Sequence, residues 1–276
     1  MKKTTMLIAF LFALALRGVP AQAGEYVFGV HPFKKPNELA QMFKPLMDYL
    51  GKVTGATMTF RSAPNYDATK QAIARGEFDV FYVGPSLFAE LTEEAPGKAR
   101  LVGTVLNNGK PSFKGVIVVK EGSTISSLAD LKGKKFAFGD HGSTLSAYVP
   151  AHMLIKAGVF DALAEHKFLG SHDNVAQAVL KGFFDAGAMQ PAVLKQYQGL
   201  KVLAESDPVP EHCIAVGGRI DDATFKKIQE ALVKVPDPQV FKAINPSLTG
   251  FAVTKPGDYA ALGKLMKAVD AKLPKK

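Results

Sequence analysis

Apolar residues recur along this chain with two alternating periods, one typical of strands and one typical of helices. The first part of the chain has predicted strands at 27–30, 57–60 and 79–83, separated by predicted helices from Leu39 to Gly51 or Gly55, at 67–75 and from Gly84-Pro85 through Leu91. A regular succession of strand, helix and strand is typical of an α/β layer with a mostly parallel sheet.

The same alternation starts again after an Asn107-Asn108-Gly109 turn and a β-branched run at 114–120 that predicts a crossing strand. The strands predicted beyond it lie at 135–138, 166–169, 184–188 and 201–204, with helices near 127–131, from Ser143 to near Gly158, at 174–181 and after 188. A strand at 213–216 follows, and the remaining chain is predicted to be helical at 222–235, 240–244 and 258–273.

Two linkers divide this pattern, one at 112–114 and one at 206–210, where two closely spaced prolines disfavour a helix. We therefore expect two lobes: residues 24–112 plus 209–276 form the first, discontinuous lobe, and residues 113–208 form the second, inserted lobe. Ligands of open α/β sheets bind outside the carboxyl ends of the strands, so a cleft between the lobes is the predicted binding site. The loops at those ends are 31–36, 65–66, 82–86, 140–146 and 170–173.

The stretch from Phe136 to Pro150 combines a short strand, two glycines and the hydroxyl residues Ser143, Thr144 and Ser146 before a helix. A helix start exposes free N–H groups and partial positive charge, which suits an anion. Pro150 cannot sit in a regular helix interior, so we expect an irregular first turn. An ordinary N-cap is the alternative explanation for these hydroxyls.

The N-terminus has the features of a secretory signal peptide over residues 1–23, with Lys2-Lys3, an apolar run from Met6 to Leu16 and a small-x-small site at Ala21-Gln22-Ala23. No run approaches the ~20 apolar residues that span a bilayer. The only cysteine, Cys213, excludes an intramolecular disulfide and lies too far along the chain to carry a lipid after cleavage. We expect a soluble periplasmic protein without a lipid anchor, with Cys213 as a buried small hydrophobe.

The charge of the chain suits an anionic ligand. The formal net charge of +9 falls to +6 after cleavage, because residues 1–23 hold Lys2, Lys3 and Arg17 and no acid. The lysines are scattered and are not interleaved with aromatic residues, so the pattern does not indicate nucleic-acid binding.

Several segments together resemble the phosphate, phosphite and phosphonate solute-binding proteins of ABC transporters, a branch of the two-lobed type II periplasmic binding proteins. The resemblance covers nearly the whole mature chain. It rests on the segments 43–46, Asn65-Tyr66, Gly84-Pro85, 127–134, Ser143-Thr144 before Pro150, and 170–173 followed by 179–188. It implies two lobes, each a mostly parallel sheet flanked by helices, with the ligand between them.

The resemblance also implies ligand-binding positions. The hydroxyls Ser143 and Thr144 match the family's hydroxyl run at the helix start, whereas its third position is Leu145 and Ser146 comes one residue later. Tyr66 and His172 match a ligand tyrosine and the family histidine. The tyrosine that commonly follows Gly-Pro is replaced by Phe88, which cannot donate a hydrogen bond.

Other candidate residues come from the sequence pattern. Tyr82, at the end of a strand, is a candidate to supply the hydroxyl that Phe88 lacks, with simple core packing as the alternative. His141 and His212 are weaker candidates, since a histidine in a loop is usually just solvated. Helix capping remains the alternative for His172, and closing a helix start remains the alternative for Tyr66.

The ligand class follows from what the aligned positions lack. In the family, two carboxylates hold the ammonium group of aminoalkylphosphonates. The positions that match them in this chain fall near Ala192 and His212, so both carboxylates are missing. A buried ammonium without a carboxylate carries an uncompensated desolvation penalty, so a compact oxyanion is the better expectation. We expect a monomer that needs no cofactor and delivers this ligand to an ABC permease; a ligand sensor that reports to a membrane signalling partner is the alternative.

Enzyme and metal functions find little support in the sequence. Ser143, His172 and Asp185 could be imagined as a hydrolase triad, but the sequence around Ser143 is not a Gly-x-Ser-x-Gly elbow. A metal site from His141, His172, Asp173 and His212 lacks a compact ligand spacing. We therefore expect no catalytic and no metal site.

Overall fold

The structure is a computed structural model that describes residues 24–273. The predicted signal peptide lies outside the described residues. The strands within this range, in chain order, are β1 (Glu25–Val30), β2 (Thr57–Ser62), β3 (Val80–Val83), β4 (Arg100–Asn107), β5 (Ser112–Phe113), β6 (Val116–Lys120), β7 (Lys135–Phe138), β8 (Glu165–Phe168), β9 (Ala186–Met189), β10 (Leu200–Glu205), β11 (Val209–Pro210), β12 (Cys213–Val216) and β13 (Leu248–Ala252).

The α-helices of the described chain flank these strands. They are α1 (Pro36–Thr54), α2 (Tyr66–Ala74), α3 (Pro85–Glu94), α4 (Val149–Lys156), α5 (His172–Leu180), α6 (Pro191–Leu194), α7 (Asp222–Val233), α8 (Gln239–Lys242) and α9 (Ala260–Asp270). Helix α1 shows how the apolar spacing works, since it buries Leu39, Phe43, Leu46 and Leu50 on one face. It ends at Gly55, whose φ of 71° suits a residue without a Cβ. The part of the chain that the structure describes contains no helix long and apolar enough to cross a bilayer.

Two sheets form two lobes. The first lobe has a six-stranded sheet in the order β13-β4-β12-β3-β1-β2, and the second has a five-stranded sheet in the order β10-β6-β9-β7-β8. The two-lobed α/β class predicted from the sequence is confirmed. The sheets are mixed, however, rather than mostly parallel: β1 pairs in parallel with β2 and β3, and β7 with β8 and β9, while the remaining pairs within both sheets are antiparallel.

The sequence prediction lacks two strands of the first sheet, β4 and β13. The prediction that the chain after residue 216 is entirely helical is therefore wrong. Strand β13, Leu248–Ala252, pairs with β4, Arg100–Asn107, at the edge of the sheet. The five residues of β13 include Gly250 and a register shift between Leu248 and Gly250. A strand this short and irregular has no clear apolar alternation, so its position depends on the neighbour with which it pairs.

The chain crosses between the lobes through a small antiparallel ribbon. Strands β5 and β11 pair Phe113 with Val209 and Ser112 with Pro210. The Glu211 N–H extends this ribbon by donating to the Pro111 carbonyl at 3.0 Å. The two linkers predicted from the sequence therefore lie side by side, as a hinge between two sheets requires.

The last helix belongs to neither lobe alone. Leu262, Met266 and Val269 of α9 are buried in the same cluster as Phe136 and Leu154 of the second lobe. Helix α9 also contacts α3 of the first lobe. The domain limits 24–112 plus 209–276 and 113–208 therefore remain a proposal, with α9 as the segment that both lobes share.

Candidate functional site

The loops at the carboxyl ends of the parallel strands meet between the lobes, and the stretch that begins at Ser143 lies at their centre. The Ser143 Oγ accepts a hydrogen bond from the Ser146 N–H at 3.3 Å, which makes Ser143 the N-cap. Residues Thr144–Tyr148 form a π-helical turn before α4. The wider turn places Pro150 near the start of α4, where its missing N–H costs little. The predicted irregular first turn is thus observed.

Tyr66 packs directly against this helix start from the first lobe. It opens α2 after Asn65, whose Oδ1 caps the Ala68 N–H at 2.8 Å. A Cβ on Gly142 would lie 2.7 Å from the Tyr66 Cβ, so the two lobes can approach this closely only because residue 142 is a glycine. Burial raises the pKa of Tyr66 well above its ordinary value, and the adjacent Ser143 side chain opposes this with a smaller effect.

Thr144 uses its hydroxyl to join the lobes. Its Oγ1 donates to the Ser86 Oγ at 2.7 Å and accepts from the Ser86 N–H at 3.0 Å. The Ser86 Oγ in turn donates to the Gly142 carbonyl at 2.6 Å. The hydroxyl predicted to grip a ligand therefore holds the first turn of α3 in this structure, although Thr144 also lines the cavity described below.

Ser146 occupies a different place from the other two hydroxyl residues. Its Oγ is buried beneath Gly139, close to the position that a Cβ there would occupy, and it has no hydrogen-bond partner among the described residues. Ser146 is absent from the wall of the cavity. The π-helical turn explains this placement, because the extra residue rotates Ser146 away from the side on which Ser143 and Thr144 lie.

His172 enters the cleft from the second lobe at the first turn of α5. Its Nδ1 accepts a hydrogen bond from the Gln190 N–H at 3.3 Å, so in the neutral ring Nε2 carries the hydrogen and can donate. Burial lowers the pKa of His172 to about 4, against a smaller opposing effect of Asp173. Asp173 pairs with Lys34 of the first lobe at 3.4 Å, which adds an ionic contact between the lobes.

The opposite wall, in the first lobe, consists of stacked rings. Tyr82 stacks on His212 with ring centroids 5.0 Å apart, and His212 stacks on His31 at 5.1 Å. The His212 Nδ1 lies 2.5 Å from the Glu211 Oε1, and this contact fixes the orientation of the imidazole. Burial raises the pKa of Tyr82 well above its ordinary value.

His31 is a residue that sequence reasoning missed as a site candidate. It follows β1, and its side chain is completely buried. Its Nε2 has no hydrogen-bond partner among the described residues. The available signal was its position at the carboxyl end of a parallel strand, in a loop that the sequence places at the cleft.

A small inner cavity lies between the walls, with a volume of about 10 Å³, which is about the room that one water molecule needs. Five of the candidate residues line it, namely Tyr66, Ser143, Thr144, His172 and the weaker candidate His212. The other lining residues are Phe33, Gly84, Phe113, Leu145 and Gln190. Tyr82 instead lines an outer groove of about 390 Å³, which shares Phe33, Gln190 and His212 with the inner cavity.

The structure can also be compared with the hydrolase triad and the metal site that the sequence analysis considered. The Asp185 Oδ2 accepts from the Lys135 N–H at the beginning of β7, whereas Ser143 follows the end of that strand, so the imagined hydrolase triad does not assemble. Among residues 24–273, no three His, Cys, Asp or Glu side chains are placed to hold a metal ion together. Cys213 is buried, and burial raises the pKa of its thiol.

Comparison with known proteins gives consistent results for fold and family. A family model described as the periplasmic substrate-binding protein of phosphonate ABC transporters matches residues 28–259. The phosphate-import protein PhnD of Mycolicibacterium smegmatis is 30% identical over 168 residues, which are 56% of this chain and 52% of that protein. The phosphonates-binding periplasmic protein of Escherichia coli is 23% identical over 237 residues, covering 80% of this chain and 70% of that protein.

Solved structures show the same fold. PhnD1 from Prochlorococcus marinus, in complex with methylphosphonate, superposes with a TM-score of 0.78 at 20% identity, over 91% of this chain and 99% of that chain. The chain thus spans about half of the M. smegmatis relative and nearly all of the P. marinus structure.

Proposed function

Because the chain belongs to the family of periplasmic substrate-binding proteins of phosphonate ABC transporters, we propose that it captures a compact tetrahedral oxyanion between its lobes. Phosphate, phosphite and small alkylphosphonates form the proposed ligand class, and an ABC permease is the proposed recipient. The observation that carries this proposal is the inner cavity, where the helix start at Ser143 and the Nε2–H of His172 face the rings of the first lobe. Hydrogen bonds from such donors to an ionised oxygen are short and strong.

The walls of the cavity support a ligand without an ammonium group. The ten residues that line the inner cavity include no carboxylate. Glu211 lies at the outer groove, where His212 and Asn107 already hydrogen-bond to it. An ammonium group in the inner cavity would be desolvated without a carboxylate partner, at a cost of several kcal/mol.

Calorimetric titration tests the ligand class. Phosphate, phosphite or methylphosphonate should bind more tightly than 2-aminoethylphosphonate, which differs from an alkylphosphonate by its ammonium group. A ligand present at 100 times its dissociation constant should also raise the free energy of unfolding by ~2.7 kcal/mol in a thermal-shift screen. Tighter binding of 2-aminoethylphosphonate would contradict the proposed class.

The size of the cavity requires that the lobes move. About 10 Å³ is too small for a tetrahedral oxyanion, so we propose that the β5–β11 ribbon opens to admit the ligand and closes around it. X-ray scattering should show a smaller radius of gyration with a saturating ligand than without it. An unchanged radius with a tightly bound ligand would argue against the hinge.

A further inference from the structure

The tautomer of His31 follows from its hydrogen bond to the backbone. The Nδ1 lies 3.2 Å from the Tyr82 carbonyl oxygen, which can only accept, so Nδ1 must carry a hydrogen. Burial, together with the nearby His212, lowers the pKa of His31 well below its ordinary value. The ring is therefore neutral near neutral pH, and its Nε2 presents a lone pair that accepts a hydrogen bond.

The Nε2 of His31 borders an open gap at Gly84. A Cβ built on Gly84 would lie 3.7 Å from this Nε2, 3.8 Å from the Thr144 Oγ1 and 3.9 Å from the His212 Nε2. Among the described residues other than Gly84 and its chain neighbours, no atom lies closer to that point, so the three side chains border an open space beside Gly84. Gly84, Thr144 and His212 all line the inner cavity. An acceptor that has no partner among the described residues thus lies directly behind three residues of the cavity wall.

Within residues 24–273, no group supplies the donor that this nitrogen lacks. The Thr144 hydroxyl gives its hydrogen to Ser86. His212, stacked on His31, has its Nδ1 engaged by the Glu211 carboxylate. Tyr82 stacks behind both imidazoles. His172 stands farther off, with its Nδ1 occupied by the Gln190 N–H, so its Nε2–H is the donor for ionised oxygens.

We propose that His31 is a specificity-determining residue that accepts a hydrogen bond from a P–OH group of the bound ligand. The site then selects an oxyanion that retains one proton, such as hydrogen methylphosphonate, hydrogen phosphite or hydrogen phosphate. It rejects sulfate and sulfonates, which carry no proton at any physiological pH and would place an oxygen lone pair against the lone pair of Nε2. This inference rests on the proposed capture of a phosphorus oxyanion.

Methylphosphonate and methanesulfonate are the test pair, because at about pH 6 both are chiefly monoanions of similar shape that differ by one proton. The wild-type protein should bind methylphosphonate at least ~100-fold more tightly, since a buried acceptor left unpaired excludes a ligand strongly. A ratio below about tenfold would overturn the assignment. If the two ligands bind equally well, the proposed function stands and only the role of His31 falls. If methylphosphonate, phosphite and phosphate all fail to bind, the proposed function falls as well.

A matched pair of variants locates the selectivity. His31→Gln replaces the fixed acceptor with an amide that can also donate, so the ratio of the two dissociation constants should fall below about tenfold. His172→Ala removes a donor for ionised oxygens, so both ligands should bind more weakly while their ratio stays near the wild-type value. The reverse pattern would assign the selectivity to His172.

The tautomer itself can be observed in the wild-type protein, which keeps the inference testable if His31→Gln folds poorly. Imidazole ¹⁵N chemical shifts should show His31 with its hydrogen on Nδ1 and His172 with its hydrogen on Nε2, with and without methylphosphonate. Finding the His31 hydrogen on Nε2 in the free protein would remove the basis of the inference.

Discussion

The two walls of the inner cavity are built for opposite tasks. On the second-lobe wall, Ser143 and His172 stand at helix starts and offer donors to ionised oxygens. On the first-lobe wall, His212 presents its ring, and His31 stacks behind it with an Nε2 that carries a lone pair. The second-lobe wall, called the donor wall below, is suited to the negative charge of a ligand. The first-lobe wall, called the ring wall below, is suited to a hydrogen that the ligand retains. A cavity with donors on both sides would accept any tetrahedral anion of this size.

Filling the gap on the ring wall should have the largest effect. Gly84→Ala extends a methyl group into the space beside the proposed ligand oxygen, yet within the described residues this Cβ meets no atom of another segment closer than 3.7 Å. Residue 84 has φ −65° and ψ 153°, which alanine adopts freely. Affinity for methylphosphonate in calorimetry should fall at least ~100-fold while the denaturant midpoint stays unchanged, because the cost is a clash with ligand alone.

Gly218→Ala is the control for this prediction, since a Cβ there meets nothing within 4 Å. It should leave the affinity unchanged. Wild-type affinity in Gly84→Ala would show that the ligand lies away from this gap.

The donor wall can be probed by pH. The pKa of His172 is lowered to about 4 by burial, whereas in the unfolded chain it is about 6.5. The unfolded state therefore binds the proton first as pH falls from about 6.5 to about 4, and the folded protein loses stability over that window. His172→Gln should lose about 2 kcal/mol less than wild type over the same window, measured by denaturant titration.

The pKa of His31 is also lowered. Acid should therefore still destabilise His172→Gln in part. An identical pH profile in wild type and His172→Gln would show that His172 is solvated in the free protein.

Variants of the hydroxyl residues distinguish a contact between the two walls from simple helix capping. Thr144→Ala removes two hydrogen bonds to Ser86, so closure becomes less favourable and ligand affinity should fall about tenfold. Ser146→Ala removes a buried hydroxyl that has no partner among the described residues and lies away from the cavity, so affinity should be unchanged. Equal losses of affinity in both variants would indicate a general effect on the helix start.

The smallest effect should come from the ionic contact between the lobes. Asp173→Asn removes the pair with Lys34, whose side chain is 12% exposed while that of Asp173 is 27% exposed. Partly exposed pairs contribute ~1 kcal/mol or less, so affinity should fall about threefold at low salt and less at high salt. A loss that is independent of salt would point to a different role, such as the hydrogen bond from the Tyr197 hydroxyl at 2.8 Å.

Much of this protein can be predicted from local sequence patterns. The periodic helices, the parallel strands and the two linkers are found close to where the sequence predicts them, because apolar spacing and prolines act within one element. The helix start at Ser143 and Thr144 belongs to the same category, since a helix start carries its own signals, whereas His172 was predicted from the family resemblance. The family resemblance is confirmed by the match over residues 28–259.

The tertiary structure decided what depends on distant neighbours. Strand β13 exists because it pairs with β4, and Ser146 turns beneath Gly139 because of the π-helical turn, so neither is visible in local periodicity. The ring wall brings together His31 and His212, which are far apart in the chain, and the Tyr82 carbonyl selects the tautomer of His31. The sequence by itself determined the two-lobed α/β class and the helix start at Ser143. Burial and hydrogen bonding across the fold determined which nitrogen of His31 keeps a lone pair, because both arise only when separate segments meet.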